Sequence, residues 1–414
     1  MAFVTVNGYD VEHASSLVIY ENLIQEIQHL NGRGCVDTYT PASQIERVNS
    51  IDVKRILPYA PRFRQLGAAA NGGFHNKKNE GGYGNAPQSE FYTIPVDLYY
   101  DEGVAITDVQ EYSSPTELKS RIMTQIVKSE GLSINVATYA RQIEAFFRNG
   151  DNFDQALAHD KGSIVAADIS ADEIANAVFS YDPADKNDTK SIAQAIINAN
   201  ASLDDGIVEI GALAIPVEKR QGFLAPKAKA ALFGQYLNNA SNQAVAILGA
   251  GFINPFNADI KGERINASTG YLGEYDGVPF FQFTSATRKF VYVALGILGT
   301  ADDSQYVAVR ALLDQFVGMI VYGEGTLRGI VGPSVEANPN PFFGGVYILP
   351  KLKMGVMCIH GATVKLIVNA GTSLANAWTA ANIATIMNTL TFTPIDGDTV
   401  TGSVVSGFND GTTD

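Results

Sequence analysis

The sequence predicts an α+β fold, and three features carry that expectation. Extended segments with alternating apolar and polar residues flank a glycine-rich tip between residues 53 and 107. A long helical stripe follows them, from about Ser114 to Phe147. Beyond residue 168 helices and strands alternate, and from Arg288 to about Asn369 the chain turns strand-rich.

Taken in order, residues 14–30, "ASSLVIYENLIQEIQHL", place Leu17, Tyr20, Ile24 and Ile27 on one face of a helix. Gly32 and Gly34 follow as C-cap candidates. The helix can pack on its own domain or on another subunit. From Val53 to Leu66 the chain is extended, because Pro58 and Pro61 forbid a helix interior and confine a strand to an edge. Next comes "GAAANGGFHNKKNEGGYGN" (67–85), six of whose nineteen residues are glycine. The run 91–107, "FYTIPVDLYYDEGVAIT", then alternates. Ile94, Val96, Leu98, Tyr100, Val104 and Ile106 share one face, and Thr93, Asp97, Tyr99 and Asp101 the other. Two proline-bearing strands with a glycine-rich tip make a projecting hairpin. An isolated hairpin is marginal in water, so its apolar face must lie on something, and a neighbouring subunit is an economical candidate.

Ser114, Pro115 and Glu117 form a capping-box signature for the long helix. Gly131 interrupts its stripe and marks a kink or break. Residues 189–205 are predicted helical, 206–216 a strand, 225–240 a helix and 277–283 a strand. The apolar run "FVYVALGILG" from Phe290 is half the length needed to span a bilayer and is predicted to be a buried strand. A helix near 303–317 and a C-terminal helix within 373–390 complete the pattern.

Composition narrows the function. Hydrophobic residues make up 46% of the 414 residues and charged ones only 17%, so much of the polar surface is uncharged. Such a surface suits protein–protein contact, because charge is depleted at interface cores. The net charge of −14 argues against nucleic-acid binding as the main role, since that needs a dominant basic face. It leaves open a container for nucleic acid. Between Val53 and Lys78 six residues are basic and none acidic, whereas 150–188 holds nine acidic residues and two basic ones. Solvated faces account for most such runs. The opposite signs also suit one subunit's arm lying over another's acidic region. Cys35 and Cys358 lie far apart, with no metal or disulfide spacing, and are expected as reduced thiols. The N-terminus carries no basic region before an apolar run, so no signal peptide is expected.

Catalytic motifs do not emerge. The glycine stretch lacks the P-loop spacing, and "ILGAGFIN" near Gly249 ends on Asn254 where a dinucleotide fingerprint needs glycine or alanine. GxSxG and HExxH are missing, the five histidines are scattered, and His360 is expected in a strand or turn. Asp204–Asp205 fits a helix-to-strand turn. "DGDTVTGS" near 396 lacks the EF-hand spacing. The residues therefore describe an assembling protein with neither catalytic residues, cofactor nor metal. An enzyme with a glycine-rich lid over a phosphate substrate is the alternative from another class.

The order of these elements resembles the major capsid proteins of tailed bacteriophages, the Hong Kong 97 fold. "FYTIPVDLYYDEGVAITDVQEYSSPTELKSRIMTQIV" is similar to that family's extended loop running into its spine helix. "INASTGYLGEYDGVPFFQF" resembles its G-x-Y-D-G-hydrophobic-P strand, here Gly273, Tyr275, Asp276, Gly277 and Pro279. "GGVYILPKLKMGVMCIHGATVKLIVN" resembles its closing peripheral strands. Together the likeness spans about residues 50–370.

The resemblance implies an N-terminal arm (1–52), an extended β-hairpin loop (53–107) and a peripheral domain with the spine helix (108–167). An inserted axial domain (168–287), the second part of the peripheral domain (288–370) and a C-terminal extension (371–414) follow. It implies hexamers and pentamers in an icosahedral shell of the virion, assembled in the host cytoplasm around double-stranded DNA. Scaffolding and portal proteins are the implied partners, and no membrane is. An encapsulin-like compartment is the alternative within the same fold. The candidate inter-subunit contacts are Arg62, Arg64, Lys77, Lys78, Tyr83, Tyr99 and Asp101. A lysine crosslink at Lys77 or Lys78 is a lesser option that the loop position allows.

Overall fold

The computed structural model describes residues 37–39, 49–56, 89–100, 104–106, 118–153, 163–182, 191–204, 219–228, 231–232, 271–283, 285–298, 306–339, 346–369 and 378–392. The helix expected at 14–30, the glycine-rich tip, the capping box at Ser114, the strand expected at 206–216 and the tail after 392 lie outside them.

The described residues form an α+β architecture in layers. One sheet joins β1 (Asp37–Tyr39), β11 (Thr326–Pro339), β12 (Val346–Cys358), β4 (Leu98–Tyr100) and β5 (Val104–Ile106). β11 and β12 run antiparallel as the long centre, β1 lies parallel to β11, and β4 and β5 both pair with β12. A second sheet has the order β6 (Val178–Tyr181), β13 (Val364–Asn369), β10 (Phe316–Tyr322), β7 (Arg220–Leu224), β9 (Val278–Gln282) and β8 (Tyr271–Tyr275). Its strands come from both sides of residue 288, so the two chain segments share one core. β2 (Ser50–Ile56) and β3 (Ser89–Pro95) form a separate hairpin.

Helix α1 (Leu118–Arg148) lies between the two large sheets. Its 31 residues make a rod about 46 Å long at the α-helical rise. One face, with Ile134 and Ala137, meets Ile330, Leu352, Met354 and Val356 of the first sheet. The other, with Val136, Tyr139, Ala140 and Ile143, meets Phe223, Met319, Leu366 and Val368 of the second. A helix enclosed on both sides leaves few positions to water, so every residue from Ile134 to Ala140 is buried, the polar Asn135 and Thr138 among them. The break expected at Gly131 is not there: the helix runs through it without interruption. Glycine in a helix interior costs about 1 kcal/mol against alanine. Burial of the flanking turns outweighs that amount. The end comes where expected, with Gly150 at φ 84°.

The run "FVYVALGILG" (290–299) departs from the expected strand. Its first five residues, Phe290–Ala294, are not a strand but the C-terminal half of helix α4 (Ser285–Ala294), and Leu295–Leu298 turn away from it. A short apolar run rich in Val and Tyr does not separate helix from strand by itself. The deciding signal is Gly296. At φ 71° it closes a Schellman motif, its N–H bonding to the Val293 carbonyl (3.0 Å) and that of Ile297 to the Tyr292 carbonyl (3.1 Å). Val291, Ala294 and Leu295 pack into the same core as α1.

The remaining described helices are α2 (Ala171–Ala177), α3 (Ile192–Asp204), α5 (Val307–Leu313) and α6 (Ala380–Thr389). α3 covers the far face of the second sheet, with Ile192, Ile196, Ala199 and Leu203 on Leu224, Phe280 and Ile320. α6, capped by the Thr379 hydroxyl, closes the core over Phe147 and Trp378. His360 sits in the turn after β12, as expected, where its carbonyl accepts from the Thr363 N–H at 3.1 Å.

Candidate assembly site: the seat of the hairpin

The β2–β3 hairpin has two unlike faces, set by the period-two alternation of its strands. Ile51, Val53, Tyr92 and Ile94 point inward, and Val53 and Ile94 are buried. They close on Leu327 of β11, on the side of that sheet opposite α1. Three side chains of this size contribute about 1.5–3 kcal/mol each when fully buried.

Outward, the pairs are polar or mixed. Thr93 Oγ1 donates to Asp52 Oδ1 at 2.7 Å across the Asp52–Thr93 register pair. Lys54 lies with Nζ 5.1 Å from the centroid of the Phe91 ring, and Phe91 is 72% exposed. An aromatic ring with a cation over it and its other face open is the residue type that anchors interfaces.

What lets the hairpin lie this low is a pair of glycines. Gly329 on β11 and Gly355 on β12 stand opposite each other in the ladder, both under the hairpin. A Cβ on Gly355 would sit 1.9 Å from the Pro95 carbonyl oxygen. One on Gly329 would sit 2.6 Å from Ile51 Cδ1. Glycine inside a strand marks such an approach of another backbone. The sequence carries this signal as the single glycines of "TLRGIV" and "LKMGVM".

Pro95 ends the hairpin. It donates no hydrogen bond, and after it the Val96 N–H bonds to the Asn49 carbonyl at 2.9 Å. The extended run expected over 91–107 is therefore three strands: β3 stays with β2, while β4 and β5 cross to β12. The predicted alternation holds through the break, since Ile94 is buried and Thr93, Asp97 and Tyr99 are exposed. Asp97 reaches Arg141 of α1 at 3.8 Å. Arg141 also pairs with Glu144 at 3.0 Å and lies 3.9 Å from the Phe392 ring centroid, which ties the hairpin exit, the helix and the C-terminal segment together.

Of the candidate contacts, Tyr99 is described. It lies on β4 opposite Lys353 and is 51% exposed. Arg62, Arg64, Lys77, Lys78, Tyr83 and Asp101 lie outside the described residues. The Tyr275–Asp276–Gly277 turn joins β8 to β9, with Asp276 at φ 52° and Gly277 at φ 75°, the two positive values of a type I′ turn. Asn200 Nδ2 holds it, donating to Asp276 Oδ2 at 2.7 Å. The buried Arg220 guanidinium in turn donates to Asn200 Oδ1 and to Asp204 Oδ1, each at 2.5 Å. Asp204, read as a turn residue, is thus the last residue of α3 and an anchor for that arginine.

Among the described residues no group of three His, Cys, Asp or Glu side chains could hold a metal ion. No described helix is long and apolar enough to cross a membrane.

No protein-family model and no curated protein matches the chain. Among solved structures it is similar to the capsid of Ralstonia phage GP4, at 11% identity and a TM-score of 0.43, over 80% of this chain and 86% of that one. The capsid of the cyanophage P-SCSP1u is similar at 12% identity and 0.42, over 82% and 87%. The mature capsid of bacteriophage PhiM1 is similar at 14% identity and 0.39, over 81% and 86%.

Proposed function

We propose that this chain is a major capsid protein, a non-enzymatic subunit that assembles with its own copies into the hexamers and pentamers of a phage head. The observation that carries this is the seated hairpin. A two-stranded ribbon is fixed on the sheet by a glycine pair and a small apolar cluster, and it turns an exposed aromatic–cation pair outward. The segment that joins its two strands in sequence, between Ile56 and Ser89, carries Arg62, Arg64, Lys77, Lys78 and Tyr83.

In this proposal that segment reaches a neighbouring subunit, with Tyr99 and Asp101 at its exit. The chain divides into the arm (1–52), loop (53–107), peripheral parts (108–167 and 288–370), axial part (168–287) and C-terminal extension (371–414). Each contact is modest, and closed symmetry multiplies it. The acidic wall encloses double-stranded DNA without binding it by sequence, and scaffolding and portal proteins take part in assembly. The location is the virion.

Deleting residues 67–85 tests the role of the loop. The truncated subunit is expected to keep its circular dichroism and thermal midpoint yet form no shells. Normal shells without that segment would overturn the proposed contact.

A further inference from the structure

One buried titratable group stands apart from everything above. Glu130, in the middle of α1, is fully buried, and neither carboxyl oxygen has a hydrogen-bond partner. Buried polar atoms are nearly always satisfied, so a carboxyl group with both oxygens bare calls for a reason.

Its place in the fold supplies one. Glu130, Ile134, Thr138 and Gln142 recur every four residues along the helix face turned to the first sheet. Gln142 Nε2 donates to Thr326 Oγ1 at 3.2 Å, Arg328 Nη1 to Thr138 Oγ1 at 3.5 Å, and Ile134 packs on Ile330. Four helical residues rise about 6 Å and two strand residues about 6.6 Å, so the two series stay in step. The next step along β11 from Ile330 is residue 332, within the register shift between Val331 and Ser334. By the same four-residue step Glu130 lies one turn before Ile134, on the helix face that meets Ile330, Leu352, Met354 and Val356.

The charged and titratable groups whose side chains are described on the surrounding elements are Arg328 on β11, Lys353 and Cys358 on β12, Arg288, Lys289 and Tyr292 on α4, and Lys365 on β13, with His360 in the turn before it. None is bonded to Glu130. Burial alone pushes its carboxyl up to about 8.

We propose that Glu130 is a proton-operated latch between α1 and the β11–β12 sheet. With its proton it lets the helix lie on the sheet; without it the helix lifts until the carboxylate reaches water. The packed state holds one proton more than the open state, so low pH favours packing. That advantage is complete below about 4.5, the ordinary value, and is lost as pH rises to about 8. Within this window the ratio of open to packed changes about tenfold per pH unit. The latch belongs to the folded subunit and does not depend on the shell proposal.

The test is amide hydrogen exchange, expressed as protection factors, for the peptides covering 126–137 and 352–356 of the full chain between pH 5 and 8.5. The wild type is expected to lose protection there by about tenfold per pH unit up to about pH 8. Glu130→Gln is expected to stay flat. Parallel profiles in the two proteins, or wild-type protection that holds constant across the range, would overturn the latch. If Glu130→Gln does not fold, infrared spectroscopy of the wild type in heavy water decides. A protonated-carboxyl band is expected at pH 7 and fades by pH 9, and its absence at pH 7 would also overturn the proposal.

Discussion

Replacing Gly355 with alanine should unseat the hairpin while leaving both large sheets in place. The added Cβ would lie 1.9 Å from the Pro95 oxygen, 2.8 Å from the Pro95 carbonyl carbon and 3.2 Å from Ile94 Cγ2. Two of these three atoms are backbone, so no rotamer change relieves the clash, and strand β3 must move by more than 1 Å. Overpacking of this kind costs about 1–3 kcal/mol. If the base lifts further, Val53, Ile94 and Leu327 lose their mutual burial at about 1.5–3 kcal/mol each. The cheaper outcome wins, so a loss of about 1–3 kcal/mol confined to the hairpin is expected. Gly329→Ala is the control. Its Cβ would meet Ile51 Cδ1 at 2.6 Å, the movable end of a side chain, and should cost under about 1 kcal/mol. Hydrogen exchange resolves the two. In Gly355→Ala the amides of Ser50–Ile56 and Ser89–Ile94 should lose protection while those of α1 and β10 keep theirs, and shell assembly should fail. Wild-type protection of the hairpin in Gly355→Ala would refute the seat, as would equal effects of the two substitutions.

Three further outcomes follow from buried polar groups. Asn200→Ala removes the bond to the Asp276 turn and one partner of the buried Arg220, and a thermal or denaturant scan should show a loss of about 1–3 kcal/mol. Lys365 is buried with Nζ 3.2 Å from the Asn176 carbonyl, and burial lowers its ammonium from 10.5 to about 8. The folded state then holds fewer protons than the unfolded one between about 8 and 10.5. Lys365→Met should therefore raise the thermal midpoint at pH 7, with a gain that shrinks across that window; a gain constant with pH would contradict this. Burial pushes the Cys358 thiol up to about 12, against a lowering by Thr326, so in a Cys35→Ser background it should resist a thiol reagent at pH 8 until the protein is unfolded.

Much of this architecture was legible in the sequence because its local signals agree with its packing. The alternation through Ile94, the proline at 95 and the C-terminal helix each have a short-range cause. Misread elements were those where tertiary context decides. Gly131 stays helical because sheets enclose α1 on both sides, and Phe290–Ala294 complete a helix because Gly296 caps it against the core. The hairpin seat was hidden because Gly329 and Gly355 meet only once β11 and β12 pair, 26 residues apart in the chain. The burial of Glu130 is hidden for a similar reason. Nothing in "VKSEGLS" tells a buried glutamate from a solvated one.

The central claim is that this chain builds a shell, and electron microscopy of the purified full-length protein, with and without a scaffolding protein, tests it most directly. Hexamers, sheets or closed shells are the predicted result. A protein that stays strictly monomeric at high concentration with scaffold present would contradict it.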